Sequence, residues 1–275
     1  MRNRKRARNL LVLVALVGGL LAPAQGFASE PILVVRNVQY GLGDGEPLLL
    51  DAYYSPTAEN RPVVMLVHGG SWRRGDKSDW ARFAPDFVDA GYTVLVPNYR
   101  LAPPNGTTFF PGPSVDLATA VRWTRGNAGL FGGDPARVGM LGTSAGGHLS
   151  LLSAGSNVDR PDVVGAFSAP VSLRSLYRKG ILRYNIKNFL GCRPVVCPGT
   201  YRSANPANAA ASSPPAFLAY SRSETIPVRQ GRIMAANLAE AGIGHALLVR
   251  DGEAHGLGLA RRTLPETLSF LQENL

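Results

Sequence analysis

The sequence predicts an α/β fold: a mostly parallel eight-stranded sheet with helices on both faces. Three observations point there. Short runs rich in β-branched residues alternate with helical stretches along the chain, the order that builds parallel sheets. Several of the runs, such as residues 62–67 (PVVMLV), are apolar without interruption, as strands buried on both faces are. The chain of 275 residues is 45% hydrophobic and 17% charged, enough apolar side chain for one large core and too little charge for a disordered chain.

The first segment stands apart from this pattern. Arg2, Arg4, Lys5, Arg6 and Arg8 precede an apolar run over residues 10–21 (LLVLVALVGGLL), which small residues follow. Twelve residues are short for a bilayer, which takes about 20. A basic region, a short apolar region and small residues make a secretory signal peptide, with cleavage expected after Ala24 or Ala28. Residues 1–28 are therefore read as the leader and 29–275 as one domain. A secreted location, extracellular or periplasmic, follows, with no stable membrane insertion after cleavage; an uncleaved anchor is the alternative. The net charge of +10 at first suggests a nucleic-acid partner, but the leader carries half of it. The remainder has no cationic block longer than Arg73-Arg74 or Arg261-Arg262 and no zinc-finger spacing, so no nucleic-acid partner is expected.

Residues 33–40 and 48–54 flank the turn-prone Gly41-Leu42-Gly43-Asp44-Gly45 and read as an antiparallel hairpin. Strands follow at 62–67, 92–97, 137–141, 163–169, 216–220 and 246–250. Helices are expected at 77–90 (N-capped by Asp76 or Ser78), 115–128, 145–154, 229–241 and 262–274. Residues 172–214 break the rhythm. More than forty residues is too long for a plain connection, and in an α/β sheet such a segment leaves the carboxyl end where ligands sit. It is expected to act as a lid-like insertion that selects substrate. Cys192 and Cys197 fall within it, and in an oxidising compartment they are expected to pair. Neither Cys-x-x-Cys spacing nor nearby histidines support a redox or metal role.

Gly142-Thr143-Ser144-Ala145-Gly146 matches G-x-S-x-G between a predicted strand and a predicted helix, the setting of a nucleophile elbow. The tight turn excludes side chains two before and two after Ser144, and the helix behind it offers free N–H groups to an anion. A serine hydroxyl needs a base. Of His68, His148, His245 and His255, only His255 lies in a loop after the last strand and before the last helix, where the chain order serine, acid, histidine puts it. His68 and His148 sit in glycine-rich segments and are assigned structural or orienting work, and His245 precedes a strand. The acid should follow strand 216–220, where Glu224 stands alone; Asp251 and Glu253 are the alternatives, both awkwardly close to His255. Gly70 and Ser71, in His68-Gly69-Gly70-Ser71-Trp72, and Ala145 are the candidate oxyanion donors through their backbone N–H groups.

HGGSWRRGDK (68–77), GYTVLVPNYRLAP (91–103), DLATAVRWTRGNAGLFGGDPARVGMLGTSAGGH (116–148) and DGEAHG (251–256) together resemble the α/β-hydrolases of the esterase/lipase group. The likeness is to hormone-sensitive lipase relatives and to small carboxylesterases of the feruloyl-esterase and kynurenine-formamidase type. It runs from about Val34 to the end and weakens over 172–214. Two departures stand out: the family often has Gly where this chain has Ser71, and usually Asp where it has Glu224. The resemblance implies two-step hydrolysis of a small-molecule or polymer-borne ester through Ser144, His255 and Glu224, with no metal and no cofactor. Amide or formamide hydrolysis on the same scaffold is the nearest alternative; a catalytically inactive ligand-binding fold is a second, disfavoured because serine and histidine are both present.

Overall fold

The computed structural model describes residues 31–102, 104, 106 and 109–275, so the expected leader, 1–28, lies outside the described residues. The strands are β1 (Leu33–Gly43), β2 (Glu46–Tyr54), β3 (Arg61–Val67), β4 (Thr93–Pro97), β5 (Gly133–Thr143), β6 (Val163–Phe167), β7 (Ala216–Ser221) and β8 (His245–Arg250). They form one eight-stranded sheet in the order β1-β2-β4-β3-β5-β6-β7-β8. β1 pairs antiparallel with β2, and β2 antiparallel with β4. From β4 to β8 every pairing is parallel. The helices are α1 (Ala84–Asp89), α2 (Gly112–Asn127), α3 (Ala145–Ala154), α4 (Leu173–Arg178), α5 (Arg183–Leu190), α6 (Pro198–Ser203), α7 (Arg229–Glu240), α8 (Leu257–Arg262) and α9 (Leu264–Asn274).

Alternation along the central strands divides the core. Val63, Met65 and Val67 of β3 pack with Leu117 and Val121 of α2 and Leu149 of α3. Val64 and Leu66 face the other way, onto Phe87 of α1, Leu259 of α8 and Leu271 of α9. All five β3 side chains are fully buried, which explains why this strand reads as a continuous apolar run. Each such burial contributes about 1.5–3 kcal/mol, so the central strands give the sheet a rigid floor.

Several boundaries differ from expectation. The hairpin is longer and turns at Asp44-Gly45, both at positive φ. The single helix expected over 77–90 is a short 3-10 turn, Lys77–Trp80, followed by α1. Asp76 does cap that turn, in a reciprocal capping box with Asp79. The helix expected at 262–274 is α9, and a further short helix, α8, precedes it, separated from it by non-helical Thr263. Both breaks have the same cause: α1 and α9 each carry a proline in their first turn, Pro85 and Pro265, which removes an N–H and clashes with the preceding turn.

Residues 172–214 fold into α4, α5, α6 and a 3-10 segment, Pro206–Ser212. Their apolar side chains, among them Leu176, Ile186, Phe189 and Tyr201, join the same core cluster as β3. Cys192 and Cys197 are disulfide-bonded between α5 and α6, and the Tyr201 hydroxyl donates to the Cys192 carbonyl at 3.1 Å.

Candidate active site

Ser144 sits where β5 turns into α3, at φ 50° and ψ −116°, a conformation non-glycine residues rarely adopt. The turn is held by its N–H donating to Phe167 O of β6 at 2.8 Å. Its glycines are sterically required. A Cβ on Gly142 would lie 2.4 Å from Gly146 O, and one on Gly146 would lie 2.3 Å from His68 O. Deletion of those two side chains brings the start of α3 against the end of β3, and thereby brings Ser144 beside the loop that follows β3.

The loop between β8 and α8 carries His255 to the same end of the sheet. Gly256 N–H donates to Ser168 Oγ at 3.0 Å, and the Ser221 hydroxyl donates to Ala254 O at 2.6 Å. A Cβ on Gly256 would lie 3.7 Å from Thr143 Cβ, one residue before Ser144. His255 Nδ1 lies 2.6 Å from Glu224 Oε2. The Glu224 side chain is fully buried, and its other oxygen accepts from Ser221 N–H at 2.8 Å. With one oxygen fixed by backbone, the second can only face the imidazole. Asp251, the alternative acid, is exposed and pairs instead with Arg222 at 2.6 Å. Ser144 Oγ makes no hydrogen bond among the described residues; catalytic hydrogen bonds are often long before substrate binds.

Gly70, Ser71 and Trp72 follow one another at φ 110°, 55° and 62°. Successive left-handed residues turn backbone N–H groups toward a common concavity. Among the described residues the N–H groups of Gly70, Ser71 and Ala145 form no loop, turn or cap hydrogen bond, so they are free to donate. A Cβ on Gly69 would lie 3.4 Å from Ser144 Cβ, which fixes how near these donors come to the serine.

Sequence reasoning did not single out what holds this loop. Asn98, Tyr99 and Arg100, just after β4, each fasten a different segment. Asn98 accepts from Lys77 N–H at 2.6 Å and donates to Asp76 at 2.7 Å, and with help from Ser78 and Lys77 this brings the Asp76 carboxyl down to about 2, against its partial burial. The Tyr99 hydroxyl donates to His68 O at 3.0 Å and its ring stacks on His68 at 4.3 Å. Arg100 pairs with Asp116 of α2 at 2.7 Å. All of these residues except Ser78 fall within the segments that carried the resemblance, and only the contact pattern shows what each does.

Two histidines are structural, as expected. His68 is buried, which pushes its pKa down, and its Nδ1 bonds Gly69 O at 2.9 Å. His148 is fully buried and is pushed down to about 4 by that burial, against the favourable Ala204 carbonyl. It accepts from the Trp72 indole at 3.2 Å and donates from Nε2 to Ala204 O at 2.9 Å. Trp72 in turn stacks on Phe189 of α5 at 4.8 Å. His148 therefore joins α3, the Gly70–Trp72 turn and the insertion. His245 is half-buried, with Nδ1 2.9 Å from Ile243 O, away from the site. Among the described residues no cluster of three or more His, Cys, Asp or Glu is placed to hold a metal, and no helix is long and apolar enough to cross a membrane.

Known proteins carry the same architecture. A thermophilic esterase from Thermogutta terrifontis, Est2, superposes with a TM-score of 0.72 at 22% identity, covering 86% of this chain and 91% of that one. A truncated carbohydrate esterase from gut microbiota superposes with a TM-score of 0.77 at 18% identity, over 88% and 96% of the two chains. The fold is thus that of the α/β-hydrolases, as the sequence predicted. In sequence the chain is 29% identical to Esterase LipC of Mycobacterium tuberculosis over 254 residues, 82% of this chain and 60% of LipC. It spans about half to three-fifths of LipC and of Esterase LipQ from the same organism, and 7% of a polyketide synthase, PkbA, of Emericella nidulans. The BD-FAE family model matches residues 50–238, from β2 through the nucleophile turn and the insertion to α7, and on that match the chain belongs to the BD-FAE family.

Proposed function

We propose that this chain hydrolyses carboxylic esters through a covalent acyl-enzyme on Ser144. The observation that carries the reading is the buried Glu224 carboxylate, pinned by Ser221 N–H and 2.6 Å from His255 Nδ1. A carboxylate there holds the imidazole with its proton on Nδ1 and leaves Nε2 as the base. His255 takes the Ser144 proton as the hydroxyl oxygen attacks the ester carbonyl. The N–H groups of Gly70, Ser71 and Ala145 stabilise the oxyanion, each well-placed donor contributing roughly 3–4 kcal/mol. His255 then protonates the leaving alcohol, and water repeats the sequence on the acyl-serine to release the acid. Relatives named as esterases support this reading.

Labelling by a fluorophosphonate probe and turnover of 4-nitrophenyl butyrate test it. Wild-type protein is expected to react with both, and Ser144→Ala with neither while keeping its Tm. Retention of most turnover by Ser144→Ala would overturn the assignment.

The reading includes export to an oxidising compartment. The basic-then-apolar start of the sequence and the bonded Cys192–Cys197 pair support it. Intact mass of the exported protein is expected to correspond to a start at Gln25 or Ser29; a full-length mass would remove the cleaved leader from the proposal.

A further inference from the structure

Several arginines of this molecule are paired with carboxylates: Arg100 with Asp116, Arg122 with Asp159, Arg125 with Asp162, Arg250 with Glu266. One region is different. Residues 172–214 contain seven Lys or Arg and no Asp or Glu, and no carboxylate occurs anywhere between Asp162 and Glu224. Four of the cations in and beside that region, Arg174, Arg178, Lys179 and Arg229, line one cavity of about 610 Å³ together with Ser172 and Ser175. All four are exposed, and among the described residues none has an ion pair or a side-chain hydrogen bond. Arg174 and Arg178 stand four apart on the six-residue α4, a like-charge spacing that destabilises a helix. Four unpaired cations around a concavity raise the local concentration of anions and leave donors free to bind them.

Both walls of the cavity lie a few residues along the chain from segments of the candidate active site. Ser172 lies four residues after Ser168, whose Oγ accepts from Gly256 N–H beside His255. Arg229 lies five residues after Glu224, at the start of α7. Buried Gln230 ties the walls together, its Oε1 accepting from Val171 N–H at 3.0 Å and Ser172 N–H at 2.7 Å. The volume is that of a small-molecule site, and the lining is polar, unsuited to a fatty chain.

We propose that this cavity is an anion subsite, and that the ester substrate carries a carboxylate which Arg174, Arg178, Lys179 and Arg229 hold. The proposal rests on the ester-hydrolase reading. The carboxylate belongs either to a dicarboxylic acyl group or to a uronic-acid unit on the alcohol side, and the experiment separates the two sources.

Two matched pairs of substrates are compared at low ionic strength: 4-nitrophenyl butyrate with the mono-4-nitrophenyl ester of glutaric acid, and an acetylated methyl galactoside with the correspondingly acetylated galacturonic acid. In one pair the anionic member is expected to be favoured at least tenfold in kcat/KM, mainly through KM, with the preference fading as NaCl is raised to 0.5 M. Tenfold corresponds to about 1.4 kcal/mol. In the double variant Arg174→Gln/Arg229→Gln the ratio within the pair, which cancels any general change in the enzyme, is expected to fall close to one. Turnover of the neutral esters with no charge preference in either pair would overturn the subsite and leave the hydrolase reading intact. If no ester is turned over, that reading has failed, and calorimetric titration with glutarate and with galacturonate decides the subsite alone: saturable binding lost in the double variant supports it, and absence of binding overturns it.

Discussion

Trp72 donates its indole N–H to His148 Nδ1 at 3.2 Å, and the Nε2–H of His148 donates to Ala204 O at 2.9 Å. Both ring nitrogens are therefore used, and only by the neutral form. A proton added at Nδ1 would face the indole N–H, two donors opposed in a fully buried site, and burial accordingly pushes the group down to about 4. The native pKa is depressed relative to the unfolded value near 6.5. Below that value the unfolded chain binds a proton that the native state refuses, so stability is lost as pH falls from about 6.5 toward 4 and is unaffected above. The loss amounts to about 3 kcal/mol. His148→Gln, which does not titrate, is expected to show a smaller fall in Tm between pH 7 and pH 4.5 than wild type; equal falls would refute the assignment.

Glu224 is expected to matter by its charge as well as its shape. Glu224→Gln keeps the Ser221 N–H acceptor but offers His255 an amide, which favours the wrong tautomer. Turnover of 4-nitrophenyl butyrate should drop by about 10²–10⁴-fold in kcat with KM little changed. A variant within threefold of wild type would remove Glu224 from the triad and return Asp251 and Glu253 to consideration.

Gly70→Ala should damage the site without touching any side chain that reacts. The new Cβ would fall 1.9 Å from Arg74 O, at a φ of 110° that alanine avoids, so the turn must move. Displacement of the Gly70 and Ser71 N–H groups is expected to lower kcat by about 10²–10³-fold, while fluorophosphonate labelling of Ser144 slows but persists. Unchanged kcat would mean that these donors are not the oxyanion site.

The Cys192–Cys197 bond closes a loop of six residues on a surface turn. The chain-entropy estimate for such a loop is about 2 kcal/mol. Cys192→Ser/Cys197→Ser should therefore fold, with a modestly lowered Tm, and should lose little activity on small esters. Failure of the double variant to fold would show that the bond organises the whole insertion.

Much of the fold and the candidate site was legible in the sequence for physical reasons that these residues illustrate. Residues 62–67 read as a buried strand because their side chains are all apolar and those of 63–67 are fully buried, and Gly142 and Gly146 mark a turn because no side chain fits there. Glu224 stood out as the candidate acid because no other carboxylate lies in the loop between β7 and α7. The break at Pro85 was missed although the proline is plain, because apolar periodicity continued through it. The joint made by Trp72, His148 and Ala204 was not legible. Its partners lie 76 and 56 residues apart, and no local pattern announces a hydrogen bond made across that distance.

The tripeptide Asn98-Tyr99-Arg100 has a kinetic meaning beyond architecture. By mooring the capping turn at Asp76, the strand exit at His68 and the helix bearing Asp116 from a single point just after β4, it fixes the candidate oxyanion loop when the protein folds. The entropy of ordering that loop is then spent a single time per molecule, not on every catalytic cycle, and substrate meets donors that no longer have to be gathered. Loosening any of the three moorings would be felt first as slower acylation in a protein that still looks native.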